Sequence, residues 1–491
     1  MSGAAVLPTT PVLVGVGVAT RREDDPDRAL EPIDLMLEAV RAAGADCGAQ
    51  ALLAEVGTIA VPRGRWRYRN PAGEIARAVG ATGAVTIVSS VGVLQQTLIA
   101  DACQAIAEGT IKSALVTGAD AGYRLLRARL AGSRAEERDQ DDDPDVRLEP
   151  KAELRHPAEV AIGLNMPVGL YALLESARRA AKGLAVDAHR DRLAERYARF
   201  AQIAAANPDG WTRIALDAAT IREDGPSNPM QAFPYTRAHC STWNVDQAAA
   251  LLFCSAAHAE ALGIDRSRWV FPVASAESNH MVPLSARADL IRSPGADAAA
   301  RAVLDAGGLA AADIDLIDLY SCFPVAVETF SDALNLRPDR DLTFTGSMAF
   351  AGGPYNNYIF QATARAAQLL RAGAGRTALI SCVSGILTKQ AFALWTTEPP
   401  LDGFVRRDVT AETARAAVEL PVIENYSGVG QIVGCTVLHA RGTAPRAVAL
   451  IDTEEGARAL AVSEGEATIV GMQTDEWVGR RVHIVDGRIA A

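Results

Sequence analysis

The chain is short of basic blocks, of paired cysteines and of long apolar runs, and each shortage removes a class of protein. Lys and Arg number 48 against 59 Asp and Glu, for a net charge of -11. Phosphate backbones are bound by clustered cations, so nucleic-acid binding is not expected. No stretch reaches the roughly 18 uninterrupted apolar residues of a membrane span. Met1 to Thr10 has neither a basic start nor a long apolar run, so a secretory leader is not expected. The seven cysteines (47, 103, 240, 254, 322, 382 and 435) are odd in number and scattered, with no CxxC pair. That excludes a disulfide framework or a zinc site, and points to a reducing cytoplasm.

What remains is a globular chain of 491 residues, 49% apolar and 22% charged, long enough for two to four domains. Apolar strands alternate with helix-spaced segments, which implies α/β sheets with covered faces. Val12–Val18, Val56–Val61, Val85–Val88 and Ser113–Thr117 read as strands. Pro32–Ala43 reads as a helix closed by Gly44, and Leu94–Ala107 as a small-residue helix before Gly109. The order returns downstream: helix Ala298–Leu304, Gly308, strand Ile314–Tyr320, a Gly352-Gly353 turn, helix Tyr358–Leu370, Gly373 and strand Ala378–Ser381. Gly44 to Gly109 and Gly308 to Gly373 are equal spacings, so the chain reads as two copies of one α/β unit.

An insert, 131–243, separates the copies. Its start, Arg134–Pro150, is dense in Asp and reads as a solvated loop; Val168–Ala181 and Leu193–Ala205 read as helices that either cap the sheet or cover a substrate. Asn244–Phe253 returns to the first sheet. The halves are thus 1–130 with 244–265, and 266–400. Beyond residue 400 come short β-prone runs at Ala447–Ile451, Ala459–Val462, Ala467–Val470 and Arg481–Val485, as in a small barrel or sandwich. With nine acidic and six basic side chains from Pro421 onward, this 401–491 domain suits protein docking or dimer support better than oligonucleotides.

In a duplicated α/β unit, turns at the carboxyl ends of equivalent strands can meet around one pocket. Four qualify: Ser89–Gly92, Tyr320–Cys322, Gly352–Asn357 and Ser381–Gly385. Their glycines let backbone N–H groups approach an oxyanion or phosphate. Tyr320 is a candidate general acid or base, or else a packed aromatic. Cys382 is a candidate catalyst or a small buried hydrophobe, and Cys322 a packing residue. Asn356 and Asn357 either donate hydrogen bonds into the pocket or cap the following helix. Ser90, Gly92, Gly353, Tyr355 and Ser384 complete the candidate binding set, and His280 either faces the same pocket or lies at the surface.

These residues carry a resemblance. The duplicated unit, Val85–Gly118, Leu319-Tyr-Ser-Cys-Phe323, the Gly352-Gly-Pro354 turn, Asp246-Gln-Ala-Ala-Ala250 and Cys382 together resemble the thiolase superfamily, nearest to proteins related to sterol-carrier-protein thiolases with an extra C-terminal β domain. The resemblance implies a five-layered α-β-α-β-α fold, a homodimer, a role in lipid metabolism, and an acyl-CoA thioester as substrate or ligand with no covalently bound cofactor. It also places Gly92 where a thiolase has its nucleophilic cysteine, Tyr320 where the sterol-carrier group has the histidine of His-Asp-Cys-Phe, and Gly353 where the family has the histidine of Gly-His-Pro. Cys382 matches the acid/base cysteine. Gly92 cannot form an acyl-enzyme. The expectation is therefore an acyl-CoA-binding protein of the acetyl-CoA acetyltransferase group without an acyl-cysteine route. The alternatives are a carbon-carbon lyase (retro-aldolase) using Tyr320, or a non-catalytic carrier or assembly partner.

Overall fold

The computed structural model describes residues 6–150 and 155–490. Two core sheets lie on either side of one helical layer. The first has strand order Pro11–Arg21, Asp246–Ser255, Ser113–Ala121, Thr58–Pro62, Val85–Ser89, Val146–Leu148. The second runs Leu316–Asp318, Thr377–Ser384, Lys389–Thr396, Phe271–Ser278, Val405–Asp408. Ser113–Ala121 and Asp246–Ser255 are buried at every position, which is why they read as continuous apolar or small-residue runs and not as alternation.

Helices Gln95–Ala107 and Tyr358–Arg371 fill the space between the sheets. Leu98, Ile99 and Ile106 pack with Ile359 and Phe360, against Val116 and Leu251 of one sheet and Ile380 and Ala391 of the other. Helices Pro32–Asp46 and Pro71–Val79 cover the outer face of the first sheet, and Pro294–Gly307 and Pro324–Ala333 that of the second. The result is the five-layered α-β-α-β-α arrangement.

Gly109 and Gly373, after the two central helices, both take positive φ, +72° and +74°. The first member of the repeat is different. Gly44 does not end its helix, which continues to Asp46, and the left-handed residue is Gly48. A Cβ at Gly44 would stand 2.5 Å from Leu53 Cδ1. Gly44 serves close packing, so its equal spacing from Gly109 is coincidental.

The acidic segment expected to be a solvated loop is instead tied down. Asp143 pairs with Arg69 and Arg147, Asp142 with Arg77, and Asp145 accepts from the N–H and hydroxyl of Thr86. Exposed pairs like these contribute little to global stability. Asp143→Ala should therefore speed hydrogen exchange and proteolysis of this segment while leaving the melting temperature unchanged.

In the C-terminal domain, Gly428–Leu438, Arg446–Thr453, Arg458–Ser463, Arg488–Ile489 and Arg481–Val485 pair in a closed circuit. Closure removes free strand edges. Ile432, Val437, Ala449, Ala461 and Ile484 fill the interior. One run expected as a strand, Ala467–Val470, lies within the helix Glu466–Thr474. Ile469 and Met472, three apart, sit on its barrel-facing side, and a single helical turn satisfies that spacing where alternation would not. Met230–Ala232 of the insert joins the barrel at Ala232 and Leu438, while Val405–Asp408 pairs with Phe271–Ser278 of the second core sheet. All seven cysteines are free thiols. Among the described residues no helix is long and apolar enough to cross a membrane.

Candidate functional site

The carboxyl ends of the core strands surround a chamber of about 230 Å³. Gly92, Tyr320, Gly353, Tyr355, Asn356 and Ser384 all line it, so the four turns singled out in the sequence each contribute to this wall or stand directly behind it. Cys382 stands behind: it is 1% exposed and does not reach the chamber surface. Burial pushes its thiol up to about 12, although the N–H groups of Gln96 and Gln95 approach it. Asn357 is buried, with neither side-chain amide atom hydrogen-bonded and no capping bond to the helix it precedes. Asn356, at φ +55°, donates its amide to Arg63 O at 3.1 Å. Ser90 is outside the lining, and its N–H donates to Leu148 O. His280 is also outside it, with Nε2 3.8 Å from Glu419 Oε1.

Tyr320 is fixed from below. Its N–H donates to Ser381 Oγ at 2.8 Å, and its ring meets Tyr358 edge-on with centroids 5.8 Å apart. Buried Asp318, two residues earlier, accepts from Tyr358 Oη, Thr343 Oγ1, Thr345 Oγ1 and two backbone N–H groups. This carboxylate is consumed by loop anchoring. Desolvation holds the Tyr320 phenol well above 10, and the neighbouring Cys322 and Cys382 add to the shift, against a hydrogen bond from the Gln95 side chain that lowers it. Tyr320 is therefore a phenol, not a phenolate, at neutral pH; it donates a proton in a hydrogen bond and does not remove one.

Side chains crowd the glycine turn closely. A Cβ on Gly353 would fall 1.9 Å from Ser241 Oγ, and one on Gly352, at φ +107°, 2.1 Å from Gln247 Oε1. Gln247 in turn donates to Ala351 O at 3.0 Å, which explains the Asp246-Gln247 pair: Gln247 seats the glycine turn, and Asp246 accepts the N–H groups of Tyr123 and Arg124. Burial raises the Asp246 carboxyl to about 6 despite those bonds. Below Gly92, also at φ +107°, the ammonium of Lys389 donates to the Gly92 carbonyl at 2.6 Å.

Sequence reasoning missed the other half of the wall. Gln95, Arg155, Tyr171, Ser241 and Trp243 all line the chamber, four of them from the insert or its return. Arg65 pairs with buried Asp120 and donates to Trp243 O at 2.6 Å, setting Trp243 edge-on to Tyr355. No local motif marks these residues; Gln95 alone has a signal, as the first helical residue after the Gly92 turn. Among the described lining residues there is no Asp, Glu, His or Lys. Cys322, expected only to pack, also lines the chamber, its thiol pushed up to about 12 by burial; the arrangement thus offers hydrogen-bond donors, one guanidinium and a protonated thiol, and no group that takes a proton near neutrality.

No family model matches the sequence, and no curated protein matches it either. Solved structures do. A monomeric SCP2-thiolase-like protein type 1 from Mycobacterium smegmatis is similar over 99% of this chain and 100% of its own, with 27% identity and a TM-score of 0.82. The Ltp2–ChsH2(DUF35) aldolase covers 79% of this chain and 98% of its own at 17% identity and a TM-score of 0.59. Human mitochondrial 3-ketoacyl-CoA thiolase, solved in complex with CoA, covers 80% and 100% at 14% identity and 0.57. Two core sheets around a central helix pair, with a site at their strand ends, are the thiolase-type fold. The full-length likeness is to an SCP2-thiolase-like protein, and it takes in the C-terminal β-rich region.

Proposed function

We propose that the chain binds an acyl-CoA thioester in the Tyr320 chamber and does not perform thiolysis through an acyl-cysteine. The observation that carries this reading is the chemistry of the wall: a protonated Tyr320 in place of a base, Gly92 in place of a nucleophile, and a Cys382 thiol buried behind the surface. Such a wall holds a thioester oxygen by donation. The CoA-bound thiolase neighbour supports the ligand class. The aldolase neighbour favours a carbon-carbon lyase, but retro-aldol cleavage needs a group to accept the hydroxyl proton, and Tyr320 has the wrong protonation state for it.

Purified protein should bind acetoacetyl-CoA in calorimetry and should not thiolyse it. Tyr320→Phe should weaken binding by roughly fivefold to tenfold, the loss of one hydrogen bond of about 1 kcal/mol. Because the Tyr320 pKa is raised, the phenol stays protonated and binding should be flat with pH across the neutral range. Robust thiolysis abolished by Cys382→Ala would sink this reading; retro-aldol turnover abolished by Tyr320→Phe would replace it with the lyase.

We propose further that the working unit is a single chain and not the homodimer the resemblance implies. Val146–Leu148 pairs with residues 87–89 and is the outermost strand of the first sheet, a three-residue edge too short to support a continuous sheet across two chains. The neighbour described as monomeric agrees with that reading. Light scattering that returns twice the 51.7 kDa chain mass would overturn it.

A further inference from the structure

Two further cavities lie in succession beside the Tyr320 chamber. Pro167, Ser241, Trp243 and Phe323 line both the chamber and a second cavity of about 410 Å³. Met166, Val168, Gln231 and Arg237 line both that cavity and a third, of about 950 Å³. The third lies between the insert and the C-terminal barrel, which contributes Leu438, His439, Ala440 and Arg441 to it. The three cavities are therefore neighbours that share walls, in a row from Tyr320 to the barrel surface.

The walls change along it. The second cavity is aromatic, with Tyr123, Trp211, Trp243 and Phe323, and Arg22 stacks over Tyr123 and Trp211 at 5.4 and 5.5 Å. In the third, apolar Leu164, Met166 and Leu438 form the sides. Arg237 and Arg441 stand at its rim, both exposed and neither in an ion pair among the described residues. The one carboxylate there, Asp224, accepts the N–H of Met230 at 2.8 Å, and His439 is held below its usual pKa by burial. Two unpaired guanidiniums on a protein of net charge -11 are a poor end for an acyl chain and a fitting one for phosphates. The 230 Å³ chamber alone is also smaller than the roughly 300–1,000 Å³ of ordinary ligand sites, so a ligand as long as a CoA thioester must extend out of it.

We infer that the trough between insert and barrel is the site for the phosphorylated nucleotide end of the thioester, with Arg237 and Arg441 as its phosphate partners. The C-terminal domain is then a wall of the ligand site. This rests on the proposed CoA-thioester reading, but it is tested apart from it by using the two ends of the ligand as separate probes. Adenosine 3′,5′-bisphosphate carries the nucleotide end alone, and an acetoacetyl thioester of N-acetylcysteamine carries the reacting end alone.

In calorimetry the wild-type chain should bind both probes, and inorganic phosphate far more weakly than the bisphosphate. Arg441→Glu and Arg237→Glu should each weaken acetoacetyl-CoA and the bisphosphate by roughly tenfold, the contribution of a charge-assisted hydrogen bond. The N-acetylcysteamine ester should bind them as it binds wild type. Arg441→Gln, with a melting curve beside each variant, separates loss of charge from loss of fold. No binding of the bisphosphate, or arginine variants that bind acetoacetyl-CoA as wild type does, overturns the trough while leaving the chamber reading intact. Bisphosphate binding without any occupancy of the chamber by the N-acetylcysteamine ester overturns the chamber reading and keeps the trough.

Discussion

Installing the residues that the thiolase resemblance implies for these positions, Gly92→Cys with Gly353→His, is expected to give a less stable protein that still performs no thiolysis. A histidine at position 353 must push Ser241 aside, because Ser241 Oγ lies 1.9 Å from where the new Cβ would be. The cysteine would have to adopt φ +107° with its Cβ 3.0 Å from both Cβ and Cγ of Pro150. Overpacking and a left-handed backbone on a side-chain-bearing residue each cost roughly 1–3 kcal/mol, so the double variant should lose several kcal/mol in urea melts. Adding Ser241→Gly should return part of the Gly353→His cost and none of the Gly92→Cys cost, since only the first pair is in contact. A double variant that thiolyses acetoacetyl-CoA at wild-type stability would show that the chamber remains a thiolase site lacking only two side chains.

The same glycines show what a sequence can and cannot disclose. The turns at Gly92, Tyr320, Gly352 and Ser384 were legible because buried parallel strands leave apolar runs whose ends are marked by glycine, serine and proline. The duplication was legible for the central helices, where Gly109 and Gly373 share one backbone state. It misled at Gly44, because a glycine required for close approach to Leu53 and one required for positive φ look the same in a string of letters. The helix Glu466–Thr474 was read as a strand because Ala467–Val470 is too short to show a helical period. The protonation of Tyr320 was out of reach for a different reason. Its direction depends on how much water the fold removes around the ring, and part of the surrounding wall, Tyr171, Ser241 and Trp243, comes from an insert with no sequence marker. The acidic loop failed similarly: its arginine partners at 69 and 77 lie far upstream.

Glu328→Ala is expected to cost about 3–5 kcal/mol, because it takes the buried counter-charge from buried Arg178 and unpairs the partly exposed Lys182 and Arg196. Glu328 is 3% exposed on the helix Pro324–Ala333. It accepts from Lys182 Nζ at 2.6 Å and Arg196 Nη1 at 2.7 Å, and lies 3.5 Å from Arg178 Nε. Burial alone would raise its carboxyl, but the three cations prevail and hold it down at about 2. Arg178, 2% exposed, keeps its bonds to Asp332 and to the Ile291 carbonyl but would lose its buried counter-charge. Glu328→Ala with Arg178→Met should recover much of the loss, since an apolar replacement of the pair removes both desolvation penalties. The sign with pH follows from the depressed pKa. The carboxyl's contribution is complete above its unfolded value near 4.5 and is lost as pH falls from there toward about 2. Wild type should therefore lose more stability over that window than the double variant, in melts taken across it. The clamp also reaches the site: Arg178 lies on the helix Pro167–Ala181, whose Pro167 and Tyr171 line the chamber. Glu328→Ala should accordingly weaken thioester binding at temperatures where the fold persists, through a wall that has lost its anchor. Unchanged melting at neutral pH would mean that solvent reaches the three cations and that the insert is held against the core by its apolar contacts alone.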